Sequence, residues 1–348
     1  MRLLPQLLLF WFLFSSLSFA QDQDKDPVDL SMVISGGVSL GAYEAGYNWA
    51  MIKMLTHIKH HGQYVDPHMR SVTGASAGSI NALLSAVYWC QEDTNATKNQ
   101  ITNNLFYDTW VKLGLEDLII KGDTEPDNKS SLFTRKVLTE KADAILTHMS
   151  QPIFSQGCEV PMGFSVTKAK PMTITLSNSD IEIKNQHFSV PLTLRESNGR
   201  LTIENRMIEN SQDHLIHIPD IENNITKARE VLFASSAFPG AFEQVKLDYR
   251  YNGVNYSSYF IDGGAYDNLP LLLAQELSQY NKLDPKRRYF VVIDPDNIRP
   301  KPVEGSTVEP ENKPVGFLNA NTLPLFNAVN ISAITPTIGS SSLPAIIR

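Results

Sequence analysis

Twice within residues 29–89 the chain passes from an apolar, strand-like segment through a turn of very small residues into a helical pattern. That repetition restricts the fold more than any other feature. The first unit runs Asp29-Leu30-Ser31-Met32-Val33-Ile34 into Ser35-Gly36-Gly37-Val38-Ser39-Leu40-Gly41. A helix then follows from Ala42 to about Ile58, with Tyr43, Tyr47, Met51, Met54 and Leu55 recurring at three- and four-residue steps. The second unit runs Ser71-Val72-Thr73 into Gly74-Ala75-Ser76-Ala77-Gly78 and on into the apolar run Ile80 to Trp89. Successive strand–turn–helix units predict a parallel sheet covered by helices.

The ends of the chain differ from its body. Arg2, the apolar run Leu7 to Phe14 and the small-x-small Ser18-Phe19-Ala20 predict a signal peptide over residues 1–20, and hence an exported protein, periplasmic, outer-membrane-associated or secreted. Residues 21–298 read as one catalytic domain. In it, helical spacing returns at Ile101 to Leu113 and at Phe133 to Met149, separated by a polar loop from Lys121 to Ser131. Strand-like alternation occupies Gly163 to about Ile208; then come a helix from Lys227 to Ser236, a strand Tyr259-Phe260-Ile261, a helix start at Pro270 and a last strand from Tyr289 to Ile293. Residues 299–348, rich in Pro and Ser, read as a tail or linker. Cys90 and Cys158 could pair in an oxidising compartment, but their spacing does not show whether the two thiols meet.

Charge narrows the partners. Against 30 Lys plus Arg stand 37 Asp plus Glu, a net charge of −7, which lacks the basic surplus that nucleic-acid binding demands. It also argues against electrostatic docking on anionic lipid, so any peripheral membrane contact is expected to be apolar.

Three motifs carry chemistry. Gly74-Ala75-Ser76-Ala77-Gly78 fits a G-x-S-x-G turn between strand and helix, where the bend forces the serine into a strained conformation and only small neighbours avoid collision. The glycine loop at Gly36, Gly37, Val38 and Gly41 offers backbone amides at a helix start, suited with Ala77 to holding an oxyanion. Its glycines fit neither G-x-G-x-x-G nor a P-loop. A serine needs a base, and no histidine follows Asp262 in the sequence. An α/β-hydrolase would present Ser, acid and His in that order. Asp262 is the outstanding base candidate: it ends an apolar strand, and Gly263 and Gly264 leave room for close approach. Asp294 looks similar, but Pro295 and the lack of glycines mark a turn. His57 and His61 stand at i, i+4 without the Glu of an H-E-x-x-H frame, so no metal is assigned, and no cofactor. No calcium loop is present in the sequence.

Together these segments resemble the patatin-like phospholipase family. The resemblance rests on Gly36 to Gly41 with its continuation Ala42-Tyr43-Glu44-Ala45-Gly46, on Gly74 to Gly78, on Ala234-Ser235-Ser236-Ala237-Phe238-Pro239, and on Asp262-Gly263-Gly264 with Asn268 and Pro270. It implies a three-layer α/β/α sandwich with a mainly parallel central sheet, and hydrolysis of phospholipid or other acyl-ester lipids through a Ser76–Asp262 dyad. Gly36, Gly37, Val38 and Ala77 would form the oxyanion hole, with Gly41, Gly74, Gly78, Gly263, Gly264 and Asn268 supporting the motifs. The chain departs from the family's usual G-G-G-x-R/K-G loop: Val38 stands at the third glycine and Leu40 at the basic position. Two other readings stay open on the residues alone: a thioesterase or serine peptidase with the same nucleophile, and a non-catalytic module of a larger surface protein.

Overall fold

A computed structural model describes residues 25–37, 40–92, 100–119, 131–175, 180, 182–208, 214–279, 282–295 and 345–347. The expected signal peptide, nearly all of the expected tail, and Val38 lie outside the described residues. The strands are β1 (Asp26–Ile34), β2 (Val65–Gly74), β3 (Glu159–Thr175), β4 (Glu182–Ser197), β5 (Arg200–Asn205), β6 (Val245–Tyr251), β7 (Val254–Asp262), β8 (Arg288–Ile293) and β9 (Ala345–Ile347). The helices are α1 (Gly41–His61), α2 (Ala77–Cys90), α3 (Leu105–Trp110), α4 (Leu115–Leu118), α5 (Lys136–Met149), α6 (Thr226–Ser235) and α7 (Leu271–Leu277).

Among the described residues, all nine strands belong to one sheet, whose main path runs β5-β4-β3-β2-β1-β8-β9. Neighbours from β3 to β9 are parallel, as the two strand–turn–helix units require. Beyond β3 the sheet turns antiparallel, with β4 on β3 and β5 on β4. The family's α/β sandwich is therefore present, with an antiparallel wing on one side. Residues 345–347 add the edge strand β9, within a segment expected to be loop-like.

Strand β1 buries apolar residues on both faces because helices cover both. On one face Met32 and Ile34 of β1 join Val72, Phe164 and the α2 residues Leu83, Leu84 and Val87 in the main core. On the other face Val33 packs with Ala274 of α7 and Phe290. The α7 side is also polar: Ser71 Oγ donates to the Ala274 carbonyl at 3.0 Å and Thr73 Oγ1 to that of Pro270 at 3.0 Å, so hydroxyls of β2 fasten the short helix to the sheet. Helix α2, buried along nearly all its length, runs through the centre of the opposite layer.

Cys90, at the end of α2, is disulfide-bonded to Cys158, just before β3. The bond ties the central helix to the strand that borders both halves of the sheet. Several elements differ from their sequence expectations. Helix α3 is confined to Leu105–Trp110, β2 is longer than Ser71–Thr73, and β6 forms a hairpin with β7 that the alternation did not indicate.

Candidate active site

The register of β3 explains how two residues far apart in sequence meet. Gly74, the last residue of β2, pairs with Phe164. Asp262, the last residue of β7, pairs with Val166. Strands β2 and β7 therefore approach end to end along β3, with Ser165 between their tips. Immediately past Gly74 the chain turns, and Ser76 comes to face Asp262.

That turn is as tight as the sequence suggests. Ser76 has φ 53° and ψ −128°, a conformation that costs a non-glycine residue on the order of 1–3 kcal/mol. Neighbouring bonds hold it there: its N–H donates to the Ser235 carbonyl at 3.1 Å and to Ser235 Oγ at 3.2 Å. Ser235 Oγ in turn donates to the Ser165 carbonyl at 2.7 Å. A side chain at Gly74 would run into the Gly78 backbone, and one at Gly78 into the carbonyls of Ile34 and Ser35. Both glycines thus let β2, α2 and the end of β1 close on one another.

Ser76 Oγ donates to Asp262 Oδ2 at 2.6 Å, and Gly264 N–H donates to Asp262 Oδ1 at 2.7 Å. Asp262 is 1% exposed. Burial lifts its pKa from 3.8 to about 7, against the pull of the bonds from Ser76 and Gly264. Gly263 is held against β3, its carbonyl accepting from Ser165 Oγ at 3.4 Å and Thr167 Oγ1 at 3.5 Å. A carboxyl poised near neutrality beside a hydroxyl can accept that hydroxyl's proton.

The glycine loop borders the same space. Gly36 and Asn268 clasp each other: Gly36 N–H donates to Asn268 Oδ1 at 3.0 Å and to its carbonyl at 3.2 Å, while Asn268 Nδ2 donates to the Gly36 carbonyl at 3.1 Å. The Gly36 amide, grouped with the oxyanion donors in the sequence reading, is engaged by Asn268 and acts as a clamp. The Gly37 carbonyl accepts from the N–H groups of Leu40 and Gly41, both at 3.0 Å, which fixes the loop's exit into α1. Ala77 is the first residue of α2, where a helix provides no acceptor for the amide and its dipole favours negative charge.

Beneath the loop lies a polar network that the sequence motifs did not reveal. Glu44 of α1 and Asn81 of α2 are both fully buried. Asn81 Nδ2 donates to the Gly41 carbonyl at 3.2 Å and to Glu44 Oε2 at 3.3 Å, and Trp110 Nε1 donates to Asn81 Oδ1 at 2.8 Å. The Trp110 ring lies over Gly41, where no side chain would fit.

The other sequence candidates lie elsewhere. Asp294 is engaged by Ser35, whose Oγ donates to Asp294 Oδ1 at 3.5 Å at the ends of β1 and β8. His57 and His61, ring centroids 4.8 Å apart, sit on the exposed side of α1. Among the described residues no group of three or more His, Cys, Asp or Glu could hold a metal. One residue before Asp262, Ile261 lines an open groove of about 530 Å³ together with Tyr259, Phe242, Pro239, Gly240, Glu243 and Gln244.

An α/β sheet whose strand-to-helix turn presents a strained serine to a buried carboxylate is an arrangement that serine hydrolases use. The model of the patatin-like phospholipase family matches residues 32–274, and the chain belongs to that family of lipid acyl hydrolases. No individual curated protein matches it.

Proposed function

We propose that the protein is an exported phospholipase A-like hydrolase that cleaves carboxylic esters of lipids through a Ser76–Asp262 dyad and an acyl-enzyme. The observation that carries this reading is the 2.6 Å hydrogen bond from Ser76 Oγ to Asp262 Oδ2 at the meeting point of β2 and β7. Asp262 accepts the hydroxyl proton as Ser76 Oγ attacks the ester carbonyl. The tetrahedral oxyanion is held by backbone amides near Gly37, Val38 and Ala77, helped by the positive end of α2. Collapse expels the alcohol, which takes the proton from Asp262, and water then releases the fatty acid by the same steps in reverse order of roles.

Leu40 at the loop's basic position leaves no cation there for an anionic substrate group.

The test is labelling by a fluorophosphonate together with turnover of a phospholipid. Wild type is expected to be labelled and to release fatty acid, and Ser76→Ala to do neither while unfolding at an unchanged temperature. Wild-type turnover by a folded Ser76→Ala protein would refute the assignment.

A further inference from the structure

The first turns of helix α1 are unusual for a helix on a protein surface, although Ala45, Ile52 and Leu55 are buried in the ordinary way. An ordinary surface helix turns its charged side to water and its apolar side to the core. Here the buried side carries Glu44 and Asn48, both fully buried, while the outward side of the first turns is Ala42, Tyr43, Gly46, Tyr47 and Ala50, continuing to Met54. Tyr43 is 58% exposed, Tyr47 40% and Met54 52%. From Gly41 to Ile52 the one charged side chain is the buried Glu44; charge returns at Lys53, and His57, His60 and His61 follow.

This face begins at the candidate active site. α1 starts at Gly41, whose N–H is bonded to the Gly37 carbonyl in the glycine loop. Trp110 of α3 covers Gly41, and the following residue, Val111, is another exposed apolar side chain.

Resting on the lipid hydrolase reading, we propose that the outward face of α1 docks the protein on a zwitterionic lipid bilayer and so brings the Ser76 crevice to the membrane surface. The family acts on lipid esters, and a lipid ester packed in a bilayer reaches a nearly buried serine only if the crevice rests against that bilayer. From Gly41 to Ile52 the outward side of α1 carries no charge, so this part meets an uncharged surface with no ion to desolvate. Exposed tyrosines suit the boundary between headgroups and hydrocarbon, where the ring is sheltered and the hydroxyl stays wet. The net charge of −7 gives no general attraction to anionic lipid. Glu44, bonded inward to Asn81, keeps the charge of the first turns away from this face.

The experiment is flotation of the full chain with phosphatidylcholine vesicles, comparing wild type, Ser76→Ala, Tyr47→Glu and Met54→Glu, each first shown by thermal unfolding to be folded. Wild type and Ser76→Ala are expected to float with the vesicles. Each Glu variant should lose about tenfold in partition, equivalent to about 1.4 kcal/mol, and should lose vesicle hydrolysis in parallel while keeping turnover of a dissolved short-chain ester. Vesicle binding by the Glu variants equal to wild type, or no binding by wild type, overturns the proposal. So does a dimer that the Glu variants dissociate without change in vesicle binding, since a second copy would then cover this face. If wild type turns over no ester yet binds vesicles through α1, the hydrolase reading fails and the docking surface stands.

Discussion

Gly264 donates its backbone N–H to Asp262 Oδ1 at 2.7 Å, and that bond leaves a single carboxylate oxygen, Oδ2, directed at the Ser76 hydroxyl. The carboxylate cannot rotate without breaking one of the two bonds, so its basic lone pair is fixed where the proton must go. In the proposed dyad the backbone orients the base, and no third side chain is needed to hold it.

The raised pKa of Asp262 sets the expected pH profile. Its carboxylate is the active form, so acylation should be half-maximal near pH 7 and fall in acid, read as the rate of fluorophosphonate labelling against pH. Stability has the opposite sense. With the folded pKa at about 7 and the ordinary value at 3.8, the folded state binds the extra proton, so this group's stabilisation is complete below about 3.8 and is lost as pH rises through about 7. Asp262→Asn keeps an oxygen for the Gly264 bond and removes the buried charge. Its activity should drop at least about 10³-fold, while at pH 8 it should unfold at a temperature higher by roughly 2–4 °C, a gain of about 1 kcal/mol. That margin should narrow towards pH 5 in parallel thermal melts.

Ser235 should matter to the rate though it does not touch the reacting atoms. Its hydroxyl links the Ser76 N–H to the Ser165 carbonyl between the tips of β2 and β7. Ser235→Ala leaves the carbonyl bond to Ser76 in place and removes the link. The expected result is a fall in kcat of about tenfold, for a loss of about 1–2 kcal/mol of positioning, with KM nearly unchanged. A change confined to KM would show that Ser235 shapes the substrate pocket and not the nucleophile.

Much of this site could be read from the sequence because its parts are local. A strand, a tight turn and a helix start are nearest neighbours in the chain, so the residues around Ser76 and the glycine loop declare themselves. The meeting of Asp262 with Ser76 is different. It depends on β2 and β7 sharing β3, and no periodicity within Tyr259-Phe260-Ile261 says which strand it pairs with; only the family resemblance supplied that link. Two hairpins carry a local signal that strand alternation does not: Asn198-Gly199 and Asn252-Gly253 both have positive φ at both residues, the turn that joins β4 to β5 and β6 to β7. Helix α1 shows a third limit. Its spacing of Tyr43, Tyr47, Met51 and Met54 marks a helix, but hydrophobic period alone does not say which side faces in, and the buried Glu44 accepts from Asn81 Nδ2.

Asn268 gives a test of the glycine loop. Its amide both donates to and accepts from Gly36. Asn268→Ala should loosen the loop and lower kcat by about tenfold or more, the loss of one to two hydrogen bonds of about 1 kcal/mol each. Asn268→Asp should be worse than the alanine variant, since it turns the donor facing the Gly36 carbonyl into an acceptor. Equal activity of the two variants would mean that the clasp contributes only by filling space. Thermal melts of both variants separate loss of the loop from loss of the fold.

The Cys90–Cys158 bond should stabilise the protein without taking part in turnover. It closes a sequence separation of 68 residues, which corresponds to about 4 kcal/mol in the chain-entropy account. Cys90 lies at the far end of α2 from Ser76, a 14-residue helix about 20 Å long. The double variant Cys90→Ala/Cys158→Ala should therefore unfold at a temperature lower by roughly 10 °C, yet retain wild-type kcat well below that transition. A selective loss of kcat in the folded variant would mean that the bond sets the position of the whole helix, and through its first residue the geometry at Ser76.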